Sequence, residues 1–131
     1  MNTATEPSKA KLWTGRVLSA IPALMMLPGI FMNFTRNPQA IEGMKKFGYQ
    51  EDALFLVGTL AVIAVVLYVI PQTAVLGAIV MTGYFGGAIA THLRINDPGW
   101  PMALAMGILT WLGLYLREPR LRALVPLRKL D

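Results

Sequence analysis

The sequence has 131 residues, of which 55% are hydrophobic and only 15% are charged, and its formal net charge is +5. This length is that of one domain, and the balance is far more apolar than that of a soluble domain. The chain has no cysteine and one histidine, which excludes disulfides, thiolate metal sites and a bis-histidine haem within one chain.

Three uncharged runs dominate the sequence, at residues 17–35, 53–91 and 98–116. Each is close to or above the ~18 residues that span a bilayer, and the longest has room for two helices. We therefore predict an all-α integral membrane bundle of four transmembrane helices within a single domain, 1–131. The expected helices cover about residues 12–34, 53–70, 73–92 and 101–117. The alternative, a soluble helical bundle, would keep a polar stripe on each helix, and residues 54–70 have none.

The first apolar run follows Lys9, Lys11 and Arg16, as a secretory signal also would. It ends in Phe34 and not in small residues, so we interpret it as a retained anchor. Asn37 and Pro38 then suit the start of a helix. Apolar residues on one side of that segment predict a short amphipathic helix on the membrane surface, and an ordinary loop is the alternative.

Only Pro71 and Gln72 separate the second and third helices, which predicts an antiparallel hairpin. In the third helix, small residues share one arc and predict a helix-packing seam, because lipid offers no hydrophobic drive for helix association. We expect this seam to pack on the second or fourth helix or on another copy of the chain. Its members are Gly83, Gly86, Gly87 and Ala90.

The basic residues flank the apolar segments and form no single patch, so phospholipid head groups and not nucleic acid are the expected partners. Eight Lys and Arg residues lie at the helix ends near the termini, against four at the opposite ends. The positive-inside rule therefore predicts that both termini face the cytoplasm. We expect a multi-pass protein of the bacterial inner membrane.

Candidate ligand-binding residues are Tyr84, His92, Arg94 and Trp100, at or near the outer end of the third and fourth helices. Arg94 and His92 suit an anionic ligand, or Arg94 pairs with Asp97 or Asp52. The alternative is a set of interfacial residues that meet only water and head groups. No helix places an ionisable group at mid-membrane, which argues against a self-sufficient pump or channel.

Several segments resemble the DoxX-like family of small four-helix membrane proteins: LYVIPQTAVLGA at 67–78, TGYFGGA at 82–88, THLR at 91–94, WLGLYLR at 111–117 and LRALVP at 121–126. The resemblance implies a four-helix membrane fold and a distant link to a quinone-linked thiosulfate oxidoreductase subunit. In such proteins a lysine often closes the first helix and a glutamate is common in the second. Asn33 and Ala61 stand at these positions here, which weakens a redox or proton role.

Three functions remain open from the sequence. The first is a non-catalytic membrane protein, an accessory subunit of a larger envelope complex, and in that case the isolated chain is not an enzyme and needs no cofactor. The second is a quinone-associated subunit of a membrane oxidoreductase, with quinone between helices near Tyr84, His92 and Trp100. The third is a homo-oligomer that passes small molecules or lipids through contacts at the glycine seam.

Overall fold

The computed structural model describes residues 6–130, and every regular element in that range is helical. The elements are α1 (Lys9–Phe34), α2 (Pro38–Lys46), α3 (Ala53–Val69), α4 (Ala74–Arg94), α5 (Trp100–Arg117) and α6 (Pro119–Arg122). A single 3-10 turn, Pro71–Thr73, joins α3 to α4. The long helices α1, α3, α4 and α5 begin and end close to the bounds expected from the apolar runs.

The helix ends follow from local chemistry. Ser8 caps α1 by accepting a hydrogen bond from the backbone N–H of Lys11, at 3.2 Å. Asn37 caps α2 in the same way through the N–H of Gln39, at 2.9 Å, with Pro38 at the first helical position. Gly48 follows α2 with φ +84°, a conformation that favours glycine, and so ends the segment. The predicted helix at Pro38 is therefore present, and the loop alternative is wrong.

The four long helices pack in a closed order. Helix α1 packs against α3 and α5, and α4 packs against the same two helices from the opposite side. Chain direction alternates, so the first turns of α1 and the last turn of α5 lie at one end, which we call the termini end. The short helix α2 bridges α1 and α3 at the other end, which we call the α2 end.

Alanine and methionine dominate the interior. Ala61 and Ala64 of α3 and Ala74 and Ala78 of α4 belong to the buried core, and all four are at most 3% exposed. Such small side chains allow close helix approach. The core is completed by larger side chains from all the long helices: Met26, Tyr68, Met81, Phe85, Met106 and Leu114.

Two glycine contacts fix how closely the helices approach. A Cβ on Gly77 would lie 2.3 Å from the backbone nitrogen of Tyr68, so the start of α4 touches the end of α3 backbone to backbone. A Cβ on Gly113 would lie 2.4 Å from the Ser19 hydroxyl oxygen and 2.9 Å from the Gly15 carbonyl oxygen. These glycines, and not the predicted seam, hold the helices together within the chain.

The predicted seam packs on no other helix of the chain. A Cβ on Gly83, Gly86 or Gly87 would meet no atom within 4 Å, and Ala90 is exposed. The expectation of a seam against the second or fourth helix of the same chain is corrected on this point, because the buried arc of α4 carries Met81 and Phe85 instead. A contact of the seam with another copy stays a prediction.

Large apolar side chains cover the outer surface. Leu24 and Phe31 of α1 are 61% and 68% exposed, and Phe55 of α3 is 68% exposed. Two helices, Lys9–Phe34 and Pro71–Arg94, are long and apolar enough to cross a membrane, and most residues of each face outward. Helix α3, with 17 residues, is apolar but shorter. A soluble protein rarely exposes such continuous apolar surface.

Candidate functional site

The polar cluster at the α2 end is organised by Asp97, in the loop between α4 and α5. One carboxylate oxygen lies 2.7 Å from Nδ1 of His92 and accepts a hydrogen bond from the N–H of Gly99 at 2.9 Å. The other oxygen lies 2.6 Å from Nζ of Lys46, at the end of α2. Asp97 thus joins α2, α4 and the start of α5 through one side chain.

These donors hold the pKa of Asp97 down, to about 2. The largest cause is the hydrogen bond from Lys46, followed by those from the Gly99 backbone and from His92. Its side chain is only 12% exposed, so the carboxylate that these donors keep ionised is largely shielded from water. The loop that carries it contains Asn96 at φ 55°, a left-handed conformation that asparagine tolerates.

A second set of contacts fixes the connection after α2 against the end of α4. The Arg94 guanidinium donates to the backbone carbonyl of Phe47. The Phe47 ring meets the His92 ring edge to face, with 4.8 Å between centroids. Tyr49 Oη and Thr91 Oγ1 lie 2.8 Å apart, within hydrogen-bond distance. We call the set Lys46, Phe47, Tyr49, Thr91, His92, Arg94 and Asp97 the α2 latch.

The α2 latch differs from the expected pairing. Among residues 6–130, Arg94 forms no ion pair, so its predicted partnership with Asp97 or Asp52 is wrong in this structure. Lys46 and His92 contact the Asp97 carboxylate instead. Arg36, between α1 and α2, pairs with Glu51, between α2 and α3. The Glu51 pKa is lowered chiefly by the hydrogen bond from Arg36.

Two grooves adjoin the latch, and α4 separates them. The first, of about 330 Å³, lies between α2, α3 and α4, and its α4 wall includes Gly83 and Gly87. The second, of about 220 Å³, lies between α1, α4 and α5 and includes Met26 and Met106. Both grooves are lined by Tyr84, Ala88 and His92, which follow one another at four-residue spacing on α4.

The predicted ligand-binding residues therefore divide into three groups. Tyr84 and His92 are brought together on both grooves, and within residues 6–130 neither Tyr84 Oη nor His92 Nε2 has a hydrogen-bond partner. Arg94 lines neither groove and instead contacts the Phe47 carbonyl within the α2 latch. Trp100 starts α5 and lines neither groove.

Sequence reasoning missed Lys46, Phe47 and Tyr49 as neighbours of His92. Lys46 and Asp97 are 51 positions apart, so no local pattern pairs them. The one available signal was the amphipathic character of α2, which predicted a helix on the membrane surface but not its contact with the end of α4.

Residues 6–130 are all-helical, with outward apolar faces and two helices long and apolar enough to cross a membrane, and this indicates a membrane protein. The DoxX-like family model matches residues 17–113, and the chain belongs to the DoxX-like family. Neither the curated proteins nor the solved structures contain a significant match to this sequence.

Proposed function

We propose that the chain is a four-helix transmembrane protein of the bacterial inner membrane, without catalysis of its own, that acts as an accessory subunit of a membrane complex. In this proposal α1, α3, α4 and α5 cross the bilayer, and both termini face the cytoplasm. The observation that carries the membrane assignment is the continuous apolar exterior, with Phe31, Phe55 and Leu24 all more than 60% exposed.

The accessory role is supported by how the polar residues are used. His92, Arg94 and Asp97 contact α2 and so stabilise the end of the structure. In addition, the small residues Gly83, Gly86, Gly87 and Ala90 are exposed and leave room for close approach of another helix. A partner helix or a second copy of the chain would fill that surface.

Copurification tests this role. The full chain, extracted in a mild detergent and passed over a sizing column, is expected to keep a stoichiometric protein partner identified by mass spectrometry. The partner should be lost from a Gly87→Leu variant, whose new side chain occupies the proposed contact surface. Gly29→Leu on α1 is the matched control and should keep the partner, because Gly29 is also an exposed helical position with open space around it. A chain that elutes alone from its native membrane would contradict the accessory role.

A second candidate, the quinone-associated subunit, is supported by one observation. The groove between α2, α3 and α4 has apolar walls and places Tyr84 Oη and His92 Nε2 without partners among residues 6–130. A quinone ring has two carbonyl oxygens that accept hydrogen bonds, and the groove volume suits a small ring. The residues that would hold it are Tyr84 and His92, and Trp100 is no longer among them.

Absorbance and mass spectrometry of the purified protein would detect such a quinone. Tyr84→Phe is then expected to weaken binding, whereas Tyr115→Phe should not, because Tyr115 lines a different groove. His92→Ala should also weaken binding, and Asp97→Asn keeps the imidazole while removing its carboxylate partner. Undiminished binding in both Tyr84→Phe and His92→Ala would remove this site from the proposal.

A further inference from the structure

Two arginines share one groove at the termini end, away from the latch. Arg16 of α1 and Arg117 of α5 line a depression of about 190 Å³ that Tyr68 and Val69 of α3 complete. The arrangement follows from helix packing. Gly15 and Gly113 allow α1 and α5 to approach until a Cβ on Gly15 would lie 3.0 Å from the Arg117 Cβ. That contact brings the two cationic side chains to the same groove.

The Arg117 side chain is held in place by neutral groups. Its Nε donates to the Ser19 hydroxyl at 3.1 Å, and its guanidinium carbon lies 5.2 Å from the centre of the Tyr68 ring. Ser19 itself is only 7% exposed. Arg16 extends over the Trp13 ring at 5.1 Å and is exposed. The guanidinium groups are thus positioned, and neither is neutralised by these contacts.

No carboxylate of residues 6–130 forms an ion pair with Arg16 or Arg117. The nearest acidic residue in sequence, Glu118, accepts a hydrogen bond from the backbone N–H of Arg120 at 3.1 Å. Two positioned guanidinium groups on one groove without a carboxylate favour an anion with several acceptor oxygens, of which phosphate is the common biological example.

The surroundings identify the source of the phosphate. Ala20 and Ala23 continue the groove along α1 toward the middle of the helices. Val69, which lines the groove, is 57% exposed, and Val17, next to Arg16 in sequence, is 58% exposed. An apolar path beside a cationic groove matches a phospholipid, whose phosphate and acyl chain are covalently joined. A zwitterionic head group would add a positive charge beside two arginines, so an anionic head group is favoured.

We infer that the groove formed by Arg16, Ser19, Tyr68 and Arg117 binds the phosphate of an anionic phospholipid, with the acyl chain along Ala20, Ala23 and Val69. The inference rests on the proposed insertion in a membrane, and it adds a defined lipid site at the termini end. Arg117 and Arg16 contact the phosphate, while Ser19 and Tyr68 orient Arg117.

Native mass spectrometry of the full chain, titrated in a mild detergent, tests the site. The probes are phosphatidylglycerol, phosphatidylcholine with the same acyl chains, and inorganic phosphate. We expect phosphatidylglycerol to bind at least about fivefold more tightly than phosphatidylcholine, the factor that one basic residue typically contributes at an anionic membrane surface. Inorganic phosphate at millimolar concentration should not displace it.

Arg16→Gln is the decisive variant, because Arg16 is exposed and its replacement leaves the Arg117 contacts intact. It should lower the affinity for phosphatidylglycerol about fivefold and lower that for phosphatidylcholine by a smaller factor, because the choline charge offsets the charge of the phosphate. The matched control is Arg120→Gln, an exposed arginine at the same end that does not line the groove. Its effect should be less than about twofold.

Equal losses in Arg16→Gln and Arg120→Gln would overturn the site, because they would show general attraction by the basic end. Equal affinity for the two lipids would overturn it as well, and displacement by inorganic phosphate would overturn the lipid assignment. A protein that inserts in lipid nanodiscs yet shows no lipid preference would refute this site alone and leave the proposed membrane insertion standing.

Discussion

At the residue scale, Asp97 is the side chain on which the α2 end depends most. It receives hydrogen bonds from Lys46 and from the Gly99 backbone, and its other close neighbour is His92 Nδ1 at 2.7 Å. An ionised carboxylate is purely an acceptor and attracts the Lys46 ammonium, whose hydrogen bond lowers the Asp97 pKa most. The latch is therefore sensitive to the charge of this one group.

Acid should weaken the latch. The Asp97 pKa falls from an ordinary value of 3.8 to about 2 in the folded protein, so ionised Asp97 favours the folded state. Its stabilisation is complete above the ordinary pKa and is lost as the pH falls through the folded value. We expect the melting temperature in a nonionic detergent to fall between about pH 4 and about pH 2.

Asp97→Asn should show a lower melting temperature at neutral pH and a flatter dependence on pH across that acid range. Glu51→Gln is the comparison, because Glu51 also has a lowered pKa but sits in an exposed ion pair with Arg36. If Asp97→Asn melted with the same acid dependence as the unmodified chain, the latch would not be the acid-sensitive element.

At the element scale, small residues decide how the helices meet, and their position matters more than their number. Gly77 touches the backbone of Tyr68, and Gly113 touches Ser19 and Gly15. Tyr68 adds a hydrogen bond from its hydroxyl to the Thr110 carbonyl, at 2.7 Å, which links α3 to α5 across the interior. The glycines of the predicted seam make no such contact within the chain.

Gly77→Ala and Gly87→Ala should therefore behave oppositely. The new Cβ at Gly77 would lie 2.3 Å from a backbone atom, so the helices must separate. We expect a loss of roughly 1–3 kcal/mol in unfolding free energy, typical of overpacking. At Gly87 the Cβ meets nothing within 4 Å, and alanine should be neutral or stabilise the helix by up to about 1 kcal/mol. Denaturant unfolding in detergent compares the two; equal losses would contradict this account of packing.

The sequence allowed the helices to be predicted because their limits have chemical signatures. Asn37-Pro38 opens α2, Pro71 interrupts the long apolar run, and Gly48 has the positive φ that its position demands. Helical phase also separated Gly83 from Phe85 on α4 correctly. Phase alone does not say which arc meets a neighbour, because in lipid neither arc is driven inward by water. The packing glycines of α1 and α5 escaped prediction for this reason.

The candidate site was predictable only in part. Tyr84 and His92 share an arc of α4, so their common position follows from helix geometry. Lys46 and Asp97 meet across 51 positions because the end of α2 and the connection after it reach the end of α4, and this depends on the tertiary arrangement. The groove of Arg16 and Arg117 likewise forms only because α1 and α5 pack at Gly15 and Gly113. Sequence spacing does not reveal that these two helices are neighbours.

At the scale of the whole molecule, the exposed arc of α4 predicts contact with another chain. In Gly87→Leu a large side chain would project from an arc of α4 that carries only small residues, into space that is open in the unmodified protein. If copies associate there, the variant should elute from a sizing column as a smaller species with unchanged thermal stability. Gly29→Leu on α1 is the control and should elute like the unmodified chain. Identical elution of the unmodified chain and both variants would show that copies do not associate through this arc.

Topology is the central claim, and the absence of native cysteine makes it directly measurable. Single cysteines at Gln39 in α2 and at Gln72 in the α3–α4 turn lie at opposite ends of the long helices. In intact bacterial cells whose outer membrane is permeable to the reagent, a maleimide that cannot cross the inner membrane should label Gln39→Cys. It should label Gln72→Cys and Ser8→Cys only after the inner membrane is opened. Labelling of Gln39→Cys and Gln72→Cys from the same side would contradict a four-helix crossing with both termini in the cytoplasm.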